Sequence, residues 1–146
     1  MKRRKFIKMS LSAAALAAVP SCVSKLPSSG QPGGALSEKS ARSLKVGEGM
    51  IEPLGFDAAV PVFSWELPDG VKKQAAYRIR TKSEEKAWDS GWVESDQSVF
   101  VPYRGEPFGS RQRVEWRVDF RDEKGRESGW SKPAHFELGL LSTNDW

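Results

Sequence analysis

The sequence predicts an all-β fold: an immunoglobulin/fibronectin III-like antiparallel β-sandwich, preceded by a signal peptide and a flexible linker. Three observations predict it. From Leu44 onward apolar residues recur with period two, turn residues interrupt these runs at short intervals, and no stretch carries the 3.6-residue apolar stripe of a helix. The 146 residues include six Trp and seven Phe, enough for one real core. They are too few for a two-domain enzyme with a cleft between its halves. Cys22 is the only cysteine and His135 the only histidine, which excludes a disulfide scaffold and a His-rich metal centre.

Residues 1–22 read as an export signal. Lys2, Arg3, Arg4, Lys5 and Lys8 form a charged start, and Met9 to Val19 is a short, Ala-rich apolar run. That run is far below the roughly 20 residues a membrane-spanning helix needs. Arg3-Arg4-Lys5-Phe6-Ile7-Lys8 resembles a twin-arginine translocation motif, with Sec export as the alternative. Val19-Pro20-Ser21-Cys22 resembles a lipoprotein box whose Cys22 thiol takes the lipid after cleavage, although Pro20 departs from the pattern. Residues 23–43, with Pro27, Ser28, Ser29, Gly30, Pro32, Gly33 and Gly34, read as a tether. Its root-mean-square reach is roughly 25 Å.

Charge follows the same division. Residues 1–50 hold nine Lys or Arg against Glu38 and Glu48, whereas residues 51–146 hold 14 basic and 17 acidic residues. The net charge of +4 therefore comes from the leader and tether, and the globular part is mildly acidic. This removes the electrostatic case for a nucleic-acid partner.

Within the sandwich, assigned to 44–138, each strand follows from its alternation. Phe63, Trp65 and Leu67 share one face with Ser64 and Glu66 opposite. Ala75, Tyr77 and Ile79 alternate with Ala76, Arg78 and Arg80. Val114, Trp116, Val118 and Phe120 point inward while Arg113, Glu115, Arg117 and Asp119 point to water, the mark of an antiparallel sheet wet on one face. Trp88–Val93, Ser98–Val101 and His135–Leu138 complete about seven strands. Pro68-Asp69-Gly70 and Asp122-Glu123-Lys124-Gly125 supply turns.

Catalytic constellations are not found. Glu84-Glu85 and Asp122-Glu123 lie in polar, turn-like stretches, and Asp89, Glu94 and Asp96 read as outward positions around a strand. His135 has no second His and no neighbouring Cys with which to build a triad or metal site. Lys124-Gly125 lacks the rest of a phosphate loop. No catalytic, metal or cofactor residue is assigned. Trp88, Trp92, Trp130, Tyr103 and Trp146 fall near strand ends or loops, where an exposed indole can stack on a sugar, but packing is the expected role.

Several stretches then align in order: Pro53-Leu54-Gly55-Phe56-Asp57, Pro61 to Trp65, Gln74 to Ile79, Trp88-Asp89-Ser90-Gly91-Trp92-Val93, Glu94 to Ser98, Val114 to Val118, Ser128-Gly129-Trp130-Ser131 and Phe136 to Leu141. Together they resemble the N-terminal immunoglobulin-like domain of bacterial α-L-rhamnosidases, over residues 44–146. The resemblance implies a parent glycoside hydrolase with further β-domains and an (α/α)6 barrel that cleaves terminal α-L-rhamnosides with inversion. None of the family's catalytic carboxylates has a counterpart here. Residues 139–146 are expected to begin the next domain of such a parent. The implied partners are those following domains, a glycan, and a membrane reached through Cys22, in the periplasm or at the cell surface. The alternative is a free-standing surface lipoprotein that binds carbohydrate or a protein.

Overall fold

The computed structural model describes residues 39–146. Nine strands run β1 (Arg42–Val46), β2 (Leu54–Phe56), β3 (Val62–Glu66), β4 (Gln74–Lys82), β5 (Ala87–Asp89), β6 (Val93–Glu94), β7 (Val101–Pro102), β8 (Arg113–Asp122) and β9 (Ala134–Leu138). A three-stranded sheet has the order β1-β3-β7. A larger sheet has the order β2-β9-β8-β4-β5, with β6 also on β4. Every pairing is antiparallel except β2 with β9, which is parallel. The sequence predicted an antiparallel sandwich and did not show this exception. It arises because the chain leaves the small sheet after β1 and joins the edge of the large one beside β9.

Alternation in β8 is realised as expected. Val114, Trp116, Val118 and Phe120 are buried, and in β9 Ala134, Phe136 and Leu138 alternate with the half-buried His135 and Glu137. The two sheets meet through aromatic rings. Phe63 of β3 lies 4.4 Å from Trp116 of β8 and 6.3 Å from Phe136 of β9, centroid to centroid. Tyr103 stacks on Phe108 at 4.7 Å and meets Trp88 edge-on at 4.8 Å.

Four local features depart from the alternation. The register of β4 on β8 shifts between Gln74 and Ala76, so Ala75 is exposed and Ala76 is buried, the reverse of the predicted faces. Trp88–Val93 is not one strand. It breaks at Ser90-Gly91, where Gly91 has φ +63° and its N–H donates to Asp89 Oδ1. Of Ser98–Val101 only Val101 lies in a strand, paired on with Pro102, because Phe100 has φ +53° and donates its N–H to Ser64 Oγ. The first strand starts at Arg42 and Ala41 is already in the core, so the ordered body begins before Leu44.

Gln74 shows why β4 carries a polar residue inside. Its Oε1 accepts from Trp65 Nε1 at 3.0 Å, and its Nε2 donates to the carbonyls of Gln97 (2.7 Å) and Ser95 (3.3 Å). Gln74→Ala is expected to destabilise the domain by about 1–3 kcal/mol, since it strands a buried indole N–H and two part-buried carbonyls. Urea unfolding checks this as a lowered midpoint at unchanged slope.

Residues 139–145 are fastened to the end of the sandwich. Gly139 N–H donates to the Phe56 carbonyl (2.8 Å), Arg111 N–H to the Gly139 carbonyl (3.1 Å) and Leu141 N–H to Ser110 Oγ (2.9 Å). A 3₁₀ turn at Thr143–Asp145 is capped by Ser142, and Asp145 accepts from the Ser110 hydroxyl.

Candidate functional site

The outer face of the large sheet brings guanidinium, carboxylate and indole groups together. It is built by the local sequence Ser128-Gly129-Trp130-Ser131. Ser128 N–H donates to the Phe120 carbonyl while Ser128 Oγ accepts from Phe120 N–H (2.8 and 3.1 Å). Ser131 makes the same pair with Val118 (2.8 and 3.1 Å). The two serines thus lace the segment to β8, with Gly129 at φ +80° between them. Trp130 is thereby set over β4, with the Arg80 guanidinium 4.5 Å and that of Arg78 5.8 Å from its ring centroid. A second such contact places Arg121 over Trp92 at 3.9 Å. Such stacks orient both partners as well as attracting them.

Asp89 of β5 ties the array together. It accepts Arg78 Nε and Nη2 at 2.8 Å each, and Arg80 Nε at 2.6 Å. The Arg78 guanidinium, then that of Arg80 and the Gly91 amide, hold the Asp89 carboxyl far below its ordinary 3.8. A carboxylate with a depressed pKa contributes stability that is present above its unfolded value and lost as pH falls. The domain is therefore expected to lose stability on acidification below about pH 4. Asp89→Asn should flatten that decline, as measured by melting temperature against pH. Asp119 behaves oppositely: burial pushes its carboxyl up, with the Ser128 hydroxyl partly countering. The sequence placed Asp119 in water, whereas it is buried beneath the Ser128 turn.

Beside Trp130 lies an open groove of about 450 Å³ whose lining includes Arg80, Lys82, Ala87, Glu115 and Arg117. Thr81, Trp88 and Trp116, register partners across three strands, also line it. Arg117 pairs with Glu115 at 2.9 Å.

The remaining residues singled out by sequence are scattered. Glu84 and Glu85 are exposed, and Glu85 accepts from Gln112. Asp122 is consumed by its own turn, accepting from Lys124 N–H (2.8 Å), Arg126 N–H (3.0 Å) and Arg126 Nε (2.7 Å). Asp96 pairs with Lys73 at the surface, and Glu94 is exposed. His135 lies 3.6 Å from both Glu52 and Glu115. Among the described residues no group of three or more His, Cys, Asp or Glu is placed to hold a metal. Of the five aromatics noted, Tyr103 is core, Trp88 packs on it, Trp92 and Trp130 carry guanidinium groups, and Trp146 is 90% exposed. Arg3, Arg4 and Cys22 lie outside the described residues.

Residues 41–142 match the family described as "Rha78A-like, N-terminal immunoglobulin domain". The chain is 44% identical over 115 residues to an α-L-rhamnosidase of Formosa agariphila, which covers 73% of this chain and 12% of that protein. It is 42% identical over 114 residues to an α-L-rhamnosidase of Alteromonas sp. strain LOR, covering 71% and 12%. Among solved structures it is similar to Streptomyces avermitilis α-L-rhamnosidase complexed with L-rhamnose, at TM-score 0.68 and 39% identity over 73% of this chain and 11% of that one. It is also similar to α-L-rhamnosidase from Dictyoglumus thermophilum, at TM-score 0.67 and 33% identity over 73% and 13%. The chain thus spans about an eighth of the length of the curated relatives it matches. With its sandwich, register and matched residues taken together, the chain belongs to the Rha78A-like N-terminal immunoglobulin domain family.

Proposed function

We propose that this chain serves as the non-catalytic N-terminal β-sandwich module of an exported α-L-rhamnosidase that hydrolyses terminal α-L-rhamnosides of glycans or glycosides. The observation that carries the reading is the family match over 41–142, with the 115 residues aligned to the Formosa agariphila enzyme making up only 12% of it. The module's role is to pack against the following domains and to space them from a membrane. Export through Arg3-Arg4 and lipidation at Cys22 supply the route and the anchor, which puts the protein in the periplasm or at the cell surface.

The deciding experiment is a blot of cells with an antibody against residues 44–146, with the immunoprecipitate assayed for rhamnoside hydrolysis. A band several-fold larger than 16.2 kDa that releases rhamnose is expected. A small band without activity overturns the reading in favour of a free-standing surface lipoprotein. Cys22→Ser is expected to move the protein from the membrane to the soluble fraction on cell fractionation. Retention at the membrane rejects the lipid anchor.

A further inference from the structure

We propose that the groove beside Trp130, with Arg80, Lys82, Ala87, Asp89, Glu115 and Arg117 in its lining, is a binding site for one or two saccharide units. This goes beyond the accessory-module reading and stands whether or not a catalytic domain follows. The site is preorganised. The Trp130 segment is fixed to β8 by four hydrogen bonds through Ser128 and Ser131, and its ring is held by Arg80. Asp89 is locked by two arginines, and Glu115 by Arg117. A ligand entering here finds its partners already ordered, so little side-chain entropy remains to be lost.

The chemistry of the lining selects the ligand class. A cation meets Arg80, Lys82 and Arg117, and a wholly apolar ligand removes these charges from water without replacement bonds. A sugar ring matches on both counts. Its C–H face lies on the Trp130 indole, and its hydroxyls donate to Glu115 and accept from Lys82 and the guanidinium N–H groups. The volume of about 450 Å³ falls at the small-ligand end of the range for binding clefts.

Titration of the full chain with neutral methyl glycosides of L-rhamnose and of D-glucose, and with D-glucuronate, tests this through the six Trp indole N–H signals in a proton–nitrogen correlation spectrum. A saturable shift of the Trp130 signal by at least one neutral glycoside is expected, with Kd on the order of millimolar. D-Glucuronate is expected to bind at least as well, because Arg80, Lys82 and Arg117 outnumber Asp89 and Glu115 in the lining. Trp130→Ala should weaken binding at least tenfold, and Arg117→Ala several-fold. Trp92→Ala, on the same face but outside the groove, should leave it unchanged. The Trp65 and Trp116 signals report that each variant is folded, and Arg117→Ala decides the matter should Trp130→Ala lose them. Absence of any saturable shift at concentrations on the order of 100 mM overturns the site. So does binding that Arg117→Ala leaves intact, or a shift confined to another tryptophan.

Discussion

Replacement of Trp116 by alanine is expected to cost about 3–5 kcal/mol, the range for deleting a large buried aromatic side chain. Trp116 is 1% exposed, sits midway along the longest strand and lies 4.4 Å from Phe63 of the opposite sheet. No neighbouring loop can collapse into the space, since strands flank it on both sides: Thr81 of β4 and Ala134 of β9 are its register partners. For a domain of about 100 residues each kcal/mol moves the melting temperature by roughly 4–8 °C, so a fall of at least roughly 12 °C is expected. Single domains are stable by only about 5–15 kcal/mol, which makes this a large fraction of the whole. A melting curve that does not move would mean that Trp116 does not fill the core.

The second large effect is expected at Gly105. A Cβ there would meet Tyr103 Oη at 2.2 Å, Cζ at 2.4 Å and Cε2 at 2.8 Å, well inside the roughly 3.5–4.0 Å of a favourable contact. The Tyr103 ring cannot swing aside, because Phe108 stacks on it and Phe63 and Trp88 meet it edge-on. Gly105→Ala is therefore expected to destabilise by about 1–3 kcal/mol or more through overpacking. The Tyr103 hydroxyl is buried without a well-formed hydrogen bond. Tyr103→Phe should accordingly be close to neutral. In a double-mutant cycle, Tyr103→Leu should recover part of the Gly105→Ala loss, because the two residues are in contact. Strict additivity in calorimetry would show that the ring is not what excludes a side chain at 105.

Much of this architecture was legible because the large strands obey one rule. In β8 and β9 each apolar residue faces the core and most of its neighbours face water, so the period alone assigns both faces. The rule fails where a buried polar side chain needs a partner that periodicity does not encode. The shift at Gln74–Ala76 puts an amide inside to satisfy the Trp65 indole, and Asp119 is buried to hold the Ser128 hydroxyl. The parallel β2–β9 pairing was illegible because it depends on where a loop crosses the sandwich, and Leu54-Gly55-Phe56 is too short to carry a pattern. The candidate groove was half visible. Ser128-Gly129-Trp130-Ser131 stood out as a motif, but its effect comes from Arg80 and Asp89, about 50 and 40 positions earlier in the chain, brought alongside by strand pairing.

The parallel pairing of β2 with β9 also has a mechanical consequence. These strands lie near the two ends of the folded body, joined by Glu137 N–H to the Pro53 carbonyl (3.0 Å) and Gly139 N–H to the Phe56 carbonyl (2.8 Å). A pull on the two ends is met first by β1 on β3 and, past it, drags β2 toward its start and β9 toward its finish. Because the strands run the same way, these motions are opposed along one axis, and the bonds between them are loaded together in shear. An antiparallel hairpin pulled at its open end would instead unzip one rung at a time. Along this pair the sandwich thus resists tension by shear, not by unzipping.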